Sequence, residues 1–418
     1  MTATIHIKDE KPFADIPFNV TITGLEINQC YKIEMQLDDY YCINAPMCLS
    51  PKLPWKSSAV FYSDQLGEIN LANSKAISGS YQGISEMGLF FNARPIQNEN
   101  VKLPKQLEEV PLYDKFYVTI RIFQNKTLIR EKTVERYYLN KDISYKDIYQ
   151  QKFQGRLFFQ PAQQKPAVIV LSGSDGRIEK AQNIAQLLAN YGFTTLAIAY
   201  FGLEGLASYL EKIPLEIIEE ARKHLIQSPY VTTDKIGIYG RSKGAEFALA
   251  SQAYHPNCQA IALNSPSNII YEGIKGKFPS KNSSWTIDNK ELPYQAFSYK
   301  DFFLKLFFKK ELPINPKSKI SIKKIAAPIL LLTSQKDEVW RSETASRELL
   351  DSYKGKEIEC NLYQETGHML TVAYQPNQRY KNNWKGLLDD SVDSWQKTIA
   401  FFNKHLKMTK EYLMNKKS

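Results

Sequence analysis

Over residues 1–140 apolar and polar positions alternate in short runs. Phe18-Asn19-Val20-Thr21-Ile22, Tyr31-Lys32-Ile33-Glu34-Met35 and Phe116-Tyr117-Val118-Thr119-Ile120-Arg121-Ile122 are the clearest. A period of two belongs to strands with one face buried. Turn-forming residues separate the runs, so the pattern predicts an all-β, immunoglobulin-like sandwich over 1–140. In its middle, Gly67-Glu68-Ile69-Asn70-Leu71, Gly79-Ser80-Tyr81-Gln82-Gly83 and Met87-Gly88-Leu89 form a glycine- and aromatic-rich stretch without a catalytic cluster.

Residues 141–154 are polar and tyrosine-rich and read as a linker. From there the periodicity changes. Ala167–Leu171 is a continuous apolar run, as expected of a strand buried on both faces, and Gly155–Phe159, Thr194–Ala199, Ile236–Tyr239, Ala260–Asn264, Pro328–Leu332 and Glu359–Tyr363 read as further strands. Helical patterns lie between them, at 181–191, at 214–227 and after Ser242, with a last helix from about Ser391 to Leu406. This alternation predicts a mostly parallel, doubly wound sheet over 155–407. The stretch 266–325 breaks the rhythm. Its aromatics (Trp285, Tyr294, Phe297, Phe302, Phe303, Phe307, Phe308) make it a candidate lid or acyl-chain pocket, with an amphipathic helix packed on the sheet as the other reading of Phe302 to Phe308. Residues 408–418 form a basic tail.

Composition narrows the class. With 43% apolar residues in 418, two cores are affordable. The five cysteines (Cys30, Cys42, Cys48, Cys258, Cys360) include no C-x-x-C pair, which argues against a disulfide framework or a zinc site and fits a reducing compartment. No apolar signal-type region follows Met1 and no run is long enough to span a bilayer. A cytoplasmic protein without stable membrane insertion is the expectation. The net charge of +10 comes from lysines that are spread, with small clusters at Lys309-Lys310, Lys323-Lys324 and Lys416-Lys417. No nucleic-acid-binding motif accompanies them, so a solvated surface or attraction of a phosphate-bearing substrate is expected, and no nucleic acid. The oligomeric state stays open.

The chemistry centres on Gly240-Arg241-Ser242-Lys243-Gly244, a Gly-x-Ser-x-Gly between an apolar strand and a helix. Such a nucleophile elbow lifts a serine hydroxyl clear of the sheet of an α/β hydrolase. A serine needs a base. In this fold the acid and then the histidine follow the serine, and only His368 and His405 do so here. His405 falls in the last helix, whereas His368 follows a strand, which makes it the candidate base. Asp337, just past the strand at 329–332, is the candidate acid, with Glu338 beside it as a rival. An oxyanion hole needs two converging N–H groups, assigned to Lys243 and to Ser174 in the turn Ser172-Gly173-Ser174-Asp175-Gly176. A plain strand-to-helix connection is the other reading of that turn.

Together these stretches resemble the acyl-CoA thioester hydrolases related to bile acid-CoA:amino acid N-acyltransferase. Gly67–Leu71, Gly79-Ser80-Tyr81-x-Gly83 and Met87-Gly88-Leu89 are similar to the N-terminal signature of that family. Ala199-Tyr200-Phe201-Gly202-Leu203-Glu204, Ile213-Pro214-Leu215-Glu216, Gly240-x-Ser242-Lys243-Gly244-Ala245-Glu246, Asp337 with Trp340, and Gly367-His368 are similar to its hydrolase half. The resemblance implies cleavage of acyl-CoA to free acid and CoA, with Ser242, Asp337 and His368 as triad and no cofactor. The family's transferase branch carries cysteine at the nucleophile, so serine here implies hydrolysis. Arg177 departs from the pattern, since a second glycine usually follows Gly176. The competing readings are an N-acyltransferase, a carboxylesterase or dienelactone-hydrolase-like esterase, and a catalytically silent binding module. The CoA-contacting residues and the acyl type stay open.

Overall fold

In the strand Cys30–Asp38, Tyr31, Ile33, Met35 and Leu37 are buried and the residues between them face outward. The same alternation in Trp55–Tyr62 buries Trp55, Ser57, Ala59 and Phe61. These two strands are the middle of an antiparallel sheet that also holds Ser78–Gly79, Arg94–Pro95, Lys115–Gln124 and Thr127–Tyr137. A second antiparallel sheet holds Thr4–Lys8, Asn19–Thr23 and Ile69–Asn70. The structure, a computed structural model, describes residues 3–297, 313–355, 357–370, 372–377 and 383–407.

The chain forms two compact units. The first, all-β in its N-terminal part, takes in Met1–Leu103, Pro111–Lys141 and Met369–Gln396. Its late segment is held by specific bonds: Trp395 Nε1 donates to Asp15 Oδ2 at 2.7 Å, and Ile43 N–H donates to Gln375 Oε1 at 2.9 Å. The second unit takes in Pro104–Val110, Asp142–His368 and Lys397–Ser418.

The second unit is built on one eight-stranded sheet. Its strands, labelled in chain order, are β1 (Ser144–Tyr149), β2 (Gln154–Phe159), β3 (Lys165–Leu171), β4 (Thr194–Ala199), β5 (Val231–Arg241), β6 (Ala260–Asn264), β7 (Ile329–Ser334) and β8 (Ile358–Tyr363). They lie in the order β1-β2-β4-β3-β5-β6-β7-β8. Pairs β1/β2 and β2/β4 are antiparallel and the remainder are parallel. The unit's helices are α1 (Glu179–Ala189), α2 (Ile217–Ile226), α3 (Lys243–Tyr254) and α4 (Ser342–Ser352); α5 (Trp384–Phe402) belongs to the first unit up to Gln396 and to the second from Lys397. Strands β4, β6 and β7 are buried along their whole length, as continuous apolar runs require. β5 sits between β3 and β6 in mid-sheet, so its carboxyl end opens where an open α/β sheet binds ligands.

Three expectations need correction. The stretch read as a linker contains β1, paired with β2 over six residues. Only its Ile148 is buried, because β1 is an edge strand and edges tolerate polar residues. Pro214 does not open a helix. It lies in a short strand, Ile213–Pro214, paired with Trp285–Ile287, and α2 starts at Ile217. The last helix starts at Trp384, well before Ser391, and widens into a π-turn at Asn403–Lys407.

The described part of the insertion holds short strands and a 3-10 turn at Pro316–Ser318. Glu272–Lys275 and Phe278–Ser283 form a hairpin, and Trp285–Ile287 pairs with Lys290–Glu291. Phe302, Phe303, Phe307, Phe308 and Lys309-Lys310 lie outside the described residues, as do 408–418 with Lys416-Lys417. Among the described residues, no helix is long and apolar enough to cross a membrane.

Candidate active site

β5 runs into α3 through Ser242, whose φ of 56° and ψ of −123° lie in a region that side-chain-bearing residues rarely enter. Such a conformation persists only when its surroundings impose it. Here Ser242 N–H donates to the Asn264 carbonyl at the end of β6 (2.9 Å), and the N–H groups of Ala245 and Glu246 close on the Ser242 carbonyl. The two flanking glycines permit the corner. A Cβ on Gly240 would stand 2.4 Å from the Gly244 carbonyl oxygen, and one on Gly244 would stand 2.3 Å from that of Ser172. Strand and helix therefore meet at a separation that excludes any side chain.

The loop after β8 brings His368 back to this corner. Its Nε2 lies 2.8 Å from Ser242 Oγ. On the other side of the ring, Nδ1 lies 2.9 Å from Asp337 Oδ2 and 3.0 Å from Oδ1. Both side chains are nearly closed to solvent, at 7% exposed for His368 and 2% for Asp337. Asp337 follows β7, and its carboxylate also accepts the N–H groups of Val339 (2.9 Å) and Trp340 (3.1 Å) and the hydroxyl of Ser342. Burial alone would raise the Asp337 carboxyl. The His368 hydrogen bond and charge, with those other donors, outweigh burial and hold it below the ordinary carboxylate value.

Glu338, the rival acid, occupies a different place. Its Oε2 accepts the backbone N–H of His368 at 3.0 Å, and the ring nitrogens face elsewhere. On the far side, Ser265 Oγ donates to the His368 carbonyl at 2.9 Å. The Trp340 ring stands edge-on to the imidazole, with centroids 5.2 Å apart, and stacks on Tyr271. Backbone and ring of His368 are thus held on several sides. His405 lies in the π-turn, near Glu357 and against Phe401, as its place in the last helix suggested.

The turn after β3 flanks the hydroxyl. A Cβ on Gly173 would lie 3.1 Å from Ser242 Cβ and 3.4 Å from its Oγ. Ser174 is the next residue, and Lys243 is the first residue of α3, where a backbone N–H has no carbonyl one turn behind it. The expected oxyanion donors are therefore placed on the two segments that border the serine. Arg177, the departure from the glycine pattern, adopts a φ of +60°. Its guanidinium is buried on Glu179, with both bonds to Oε1 (2.9 and 2.8 Å), and its N–H donates to the Phe201 carbonyl.

One group of functional neighbours escaped the sequence reading. The Lys243 side chain turns away from the serine. Its Nζ donates to Glu246 Oε1 (3.0 Å), Ser284 Oγ (2.8 Å) and the Tyr271 carbonyl (3.3 Å). Glu246 Oε1 also accepts Tyr271 N–H and Trp285 Nε1. Burial pushes the Lys243 ammonium down and the Glu246 carboxyl up. Two opposite charges three residues apart, followed by the apolar run Phe247-Ala248-Leu249-Ala250, were the available signal.

An eight-stranded, mostly parallel sheet with a strained serine on the strand-to-helix corner of its central strand defines an α/β hydrolase. Residues 15–150 match the family described as "Acyl-CoA thioester hydrolase/BAAT N-terminal region", and residues 213–408 match "BAAT / Acyl-CoA thioester hydrolase C terminal". The chain belongs to this family of acyl-CoA thioester hydrolases and bile acid-CoA:amino acid N-acyltransferases. Its relatives include acyl-coenzyme A thioesterase 6 of Mus musculus, 26% identical with 97% of each chain covered. Acyl-coenzyme A amino acid N-acyltransferase 2 of Mus musculus is 25% identical, covering 94% of this chain and 95% of that one. Acyl-coenzyme A thioesterase 1 of Homo sapiens is 25% identical, with 94% of each chain covered.

Proposed function

We propose that this protein hydrolyses acyl-CoA thioesters through an acyl-serine intermediate. The observation that carries the reading is the 2.8 Å approach of Ser242 Oγ to His368 Nε2, with Asp337 on the other ring nitrogen. Ser242 Oγ attacks the thioester carbonyl while His368 takes its proton. The N–H groups of Lys243 and Ser174 stabilise the tetrahedral oxyanion. Collapse breaks the C–S bond, and His368 returns the proton to the departing CoA thiolate. Water then attacks the acyl-serine with His368 again as base, releasing free acid and restoring the Ser242 hydroxyl. Asp337 holds the imidazole tautomer and stabilises the imidazolium. Side chains, backbone and water complete this cycle, so it calls for no cofactor. A cytoplasmic site of action is part of the proposal, supported by five cysteines without a C-x-x-C pair.

N-acyltransferases stand among the relatives at the same identity as the thioesterases, so transfer to an amine is the second reading. Serine at the nucleophile supports hydrolysis. The test is thiol release from a panel of acyl-CoAs, short to long and branched to bile-type, beside Ser242→Ala, with and without glycine or taurine. Ser242-dependent thiol release with free acid as sole acyl product is expected. An acyl-amide product would overturn hydrolysis in favour of transfer. Turnover of oxygen esters without thioesters would assign an esterase, and activity retained by Ser242→Ala would sink the nucleophile.

A further inference from the structure

We propose that Tyr200 is a positioning residue that aims the oxyanion peptide between Gly173 and Ser174 at Ser242. The inference rests on the serine mechanism above and goes one layer deeper.

Tyr200 stands at the end of β4, next to β3 in the sheet, and is 1% exposed. Its single hydroxyl hydrogen is shared between the carbonyl oxygens of Ser172, at 2.9 Å, and Gly173, at 3.3 Å. Both carbonyls belong to the turn that borders the nucleophile. The chain has no cis peptide bond among the described residues, so the Gly173–Ser174 unit is trans and planar. In such a unit the C=O and N–H vectors oppose each other. A hydroxyl that holds the Gly173 oxygen therefore turns the Ser174 N–H the opposite way. The α-carbon before that peptide already lies against Ser242, since a Cβ built on it would stand 3.1 Å from the serine Cβ. Gly176 N–H also reaches the Gly173 oxygen, at 3.3 Å, so the turn is held from within and from the Tyr200 side.

The ring of Tyr200 is itself fixed. It packs against Phe201, Phe247 and Trp285, with centroids 5.2, 4.9 and 6.2 Å away. Phe247 lies on α3 and stacks on Trp285, whose indole N–H is bonded to Glu246. The elbow helix and the oxyanion turn are thus referenced to one aromatic cluster. Burial raises the phenol far above neutral pH, so the hydroxyl stays a donor over the working range.

The test compares wild type, Ser242→Ala and Tyr200→Phe in acyl-CoA hydrolysis. It adds inhibition by two CoA analogues, a trifluoromethyl ketone that forms a tetrahedral oxyanion on the serine and an S-alkyl thioether that has no carbonyl. Loss of a whole oxyanion donor costs about a hundred-fold or more in kcat, so a donor left in place but poorly aimed should cost about ten- to thirty-fold. Tyr200→Phe is expected to lose that factor in kcat and the same factor in affinity for the ketone. KM and thioether affinity should stay within two-fold of wild type, roughly the scatter of a binding site left intact. Introducing 4-aminophenylalanine at position 200, which restores a donor, should recover most of the loss. Wild-type kcat in Tyr200→Phe, or equal losses for both analogues, would overturn the proposal while leaving the serine mechanism standing. A wild-type protein that neither turns over thioesters nor binds the ketone through Ser242 would overturn the mechanism and this inference with it. If Tyr200→Phe does not fold, 4-aminophenylalanine and the similarly shaped 4-methylphenylalanine make the same comparison of donor against no donor.

Discussion

Lys243 Nζ and Glu246 Oε1 meet at 3.0 Å, with the two side chains 5% and 0% exposed. Breaking a buried pair from one side leaves a charge that neither water nor a partner compensates, at a cost of about 3–5 kcal/mol. Glu246→Ala strands the Lys243 ammonium and also deprives Tyr271 N–H and Trp285 Nε1 of their acceptor. Lys243→Met leaves a carboxyl that keeps those two donors, and since burial favours the neutral form of either stranded group, the two lost donors are what separate the variants. Urea unfolding should therefore show Glu246→Ala as clearly the more damaging change. Equal losses would mean that the carboxylate's other bonds contribute nothing.

Gly244 faces the Ser172 carbonyl where a Cβ would come within 2.3 Å. Both groups are backbone, so neither can swing aside as a side chain would. Gly244→Ala has to push α3 away from β3, with about 1–3 kcal/mol of overpacking and a displaced elbow. The expected result is a folded protein with a lowered midpoint and kcat reduced at least about ten-fold, since a 1 Å displacement of reacting groups costs that much or more. Unchanged turnover would show that the corner does not need the close approach.

Most of the hydrolase half was legible because its signals are local. Largely apolar runs marked β3, β4, β6 and β7, and the glycine spacing marked the elbow. Chain order and a shortage of histidines singled out His368, and the structure brings it to Ser242 and Asp337. What escaped depended on tertiary context. β1 carries Lys146 and Asp147 because it is an edge, and an edge strand has the polarity of a linker. Pro214 fits a helix start and an extended strand equally well at its fixed φ. That Met369–Gln396 joins the first unit depends on contacts with residues more than three hundred positions earlier, which no period encodes. The Lys243–Glu246 pair was visible as two charges but not as a buried hub, since its partners Tyr271, Ser284 and Trp285 come from the insertion.

Asp337 and Glu338 are adjacent carboxylates with different contacts, and kinetics should separate them. Asp337 meets the ring Nδ1 of His368, and Glu338 meets the backbone N–H. Asp337→Asn offers the ring an amide donor and favours the wrong tautomer, an exchange that costs about 10⁴-fold in kcat in a serine triad. Glu338→Gln keeps an oxygen that accepts the same N–H. Exchanging a charged for a neutral acceptor is worth about 1 kcal/mol, or roughly five-fold in rate. Comparable losses from the two variants would return Glu338 to candidacy as the acid.

The depressed Asp337 carboxyl also makes an acid-stability prediction. Its pKa lies below the ordinary value in the folded chain, chiefly because the His368 bond and charge overcome burial. In the unfolded chain it reverts to about 3.9. Between these values the unfolded state binds the proton that the folded state refuses, so stability falls as pH falls. The contribution is complete above the unfolded value and is lost as pH drops through the folded one. Removing the group with Asp337→Asn takes that contribution away. In urea unfolding from pH 7 to pH 3, the stability gap between wild type and Asp337→Asn should stay constant down to about pH 5 and narrow below pH 4. A gap that widened toward acid would mean that burial dominates and that Asp337 is held protonated, which would leave His368 without a charged partner.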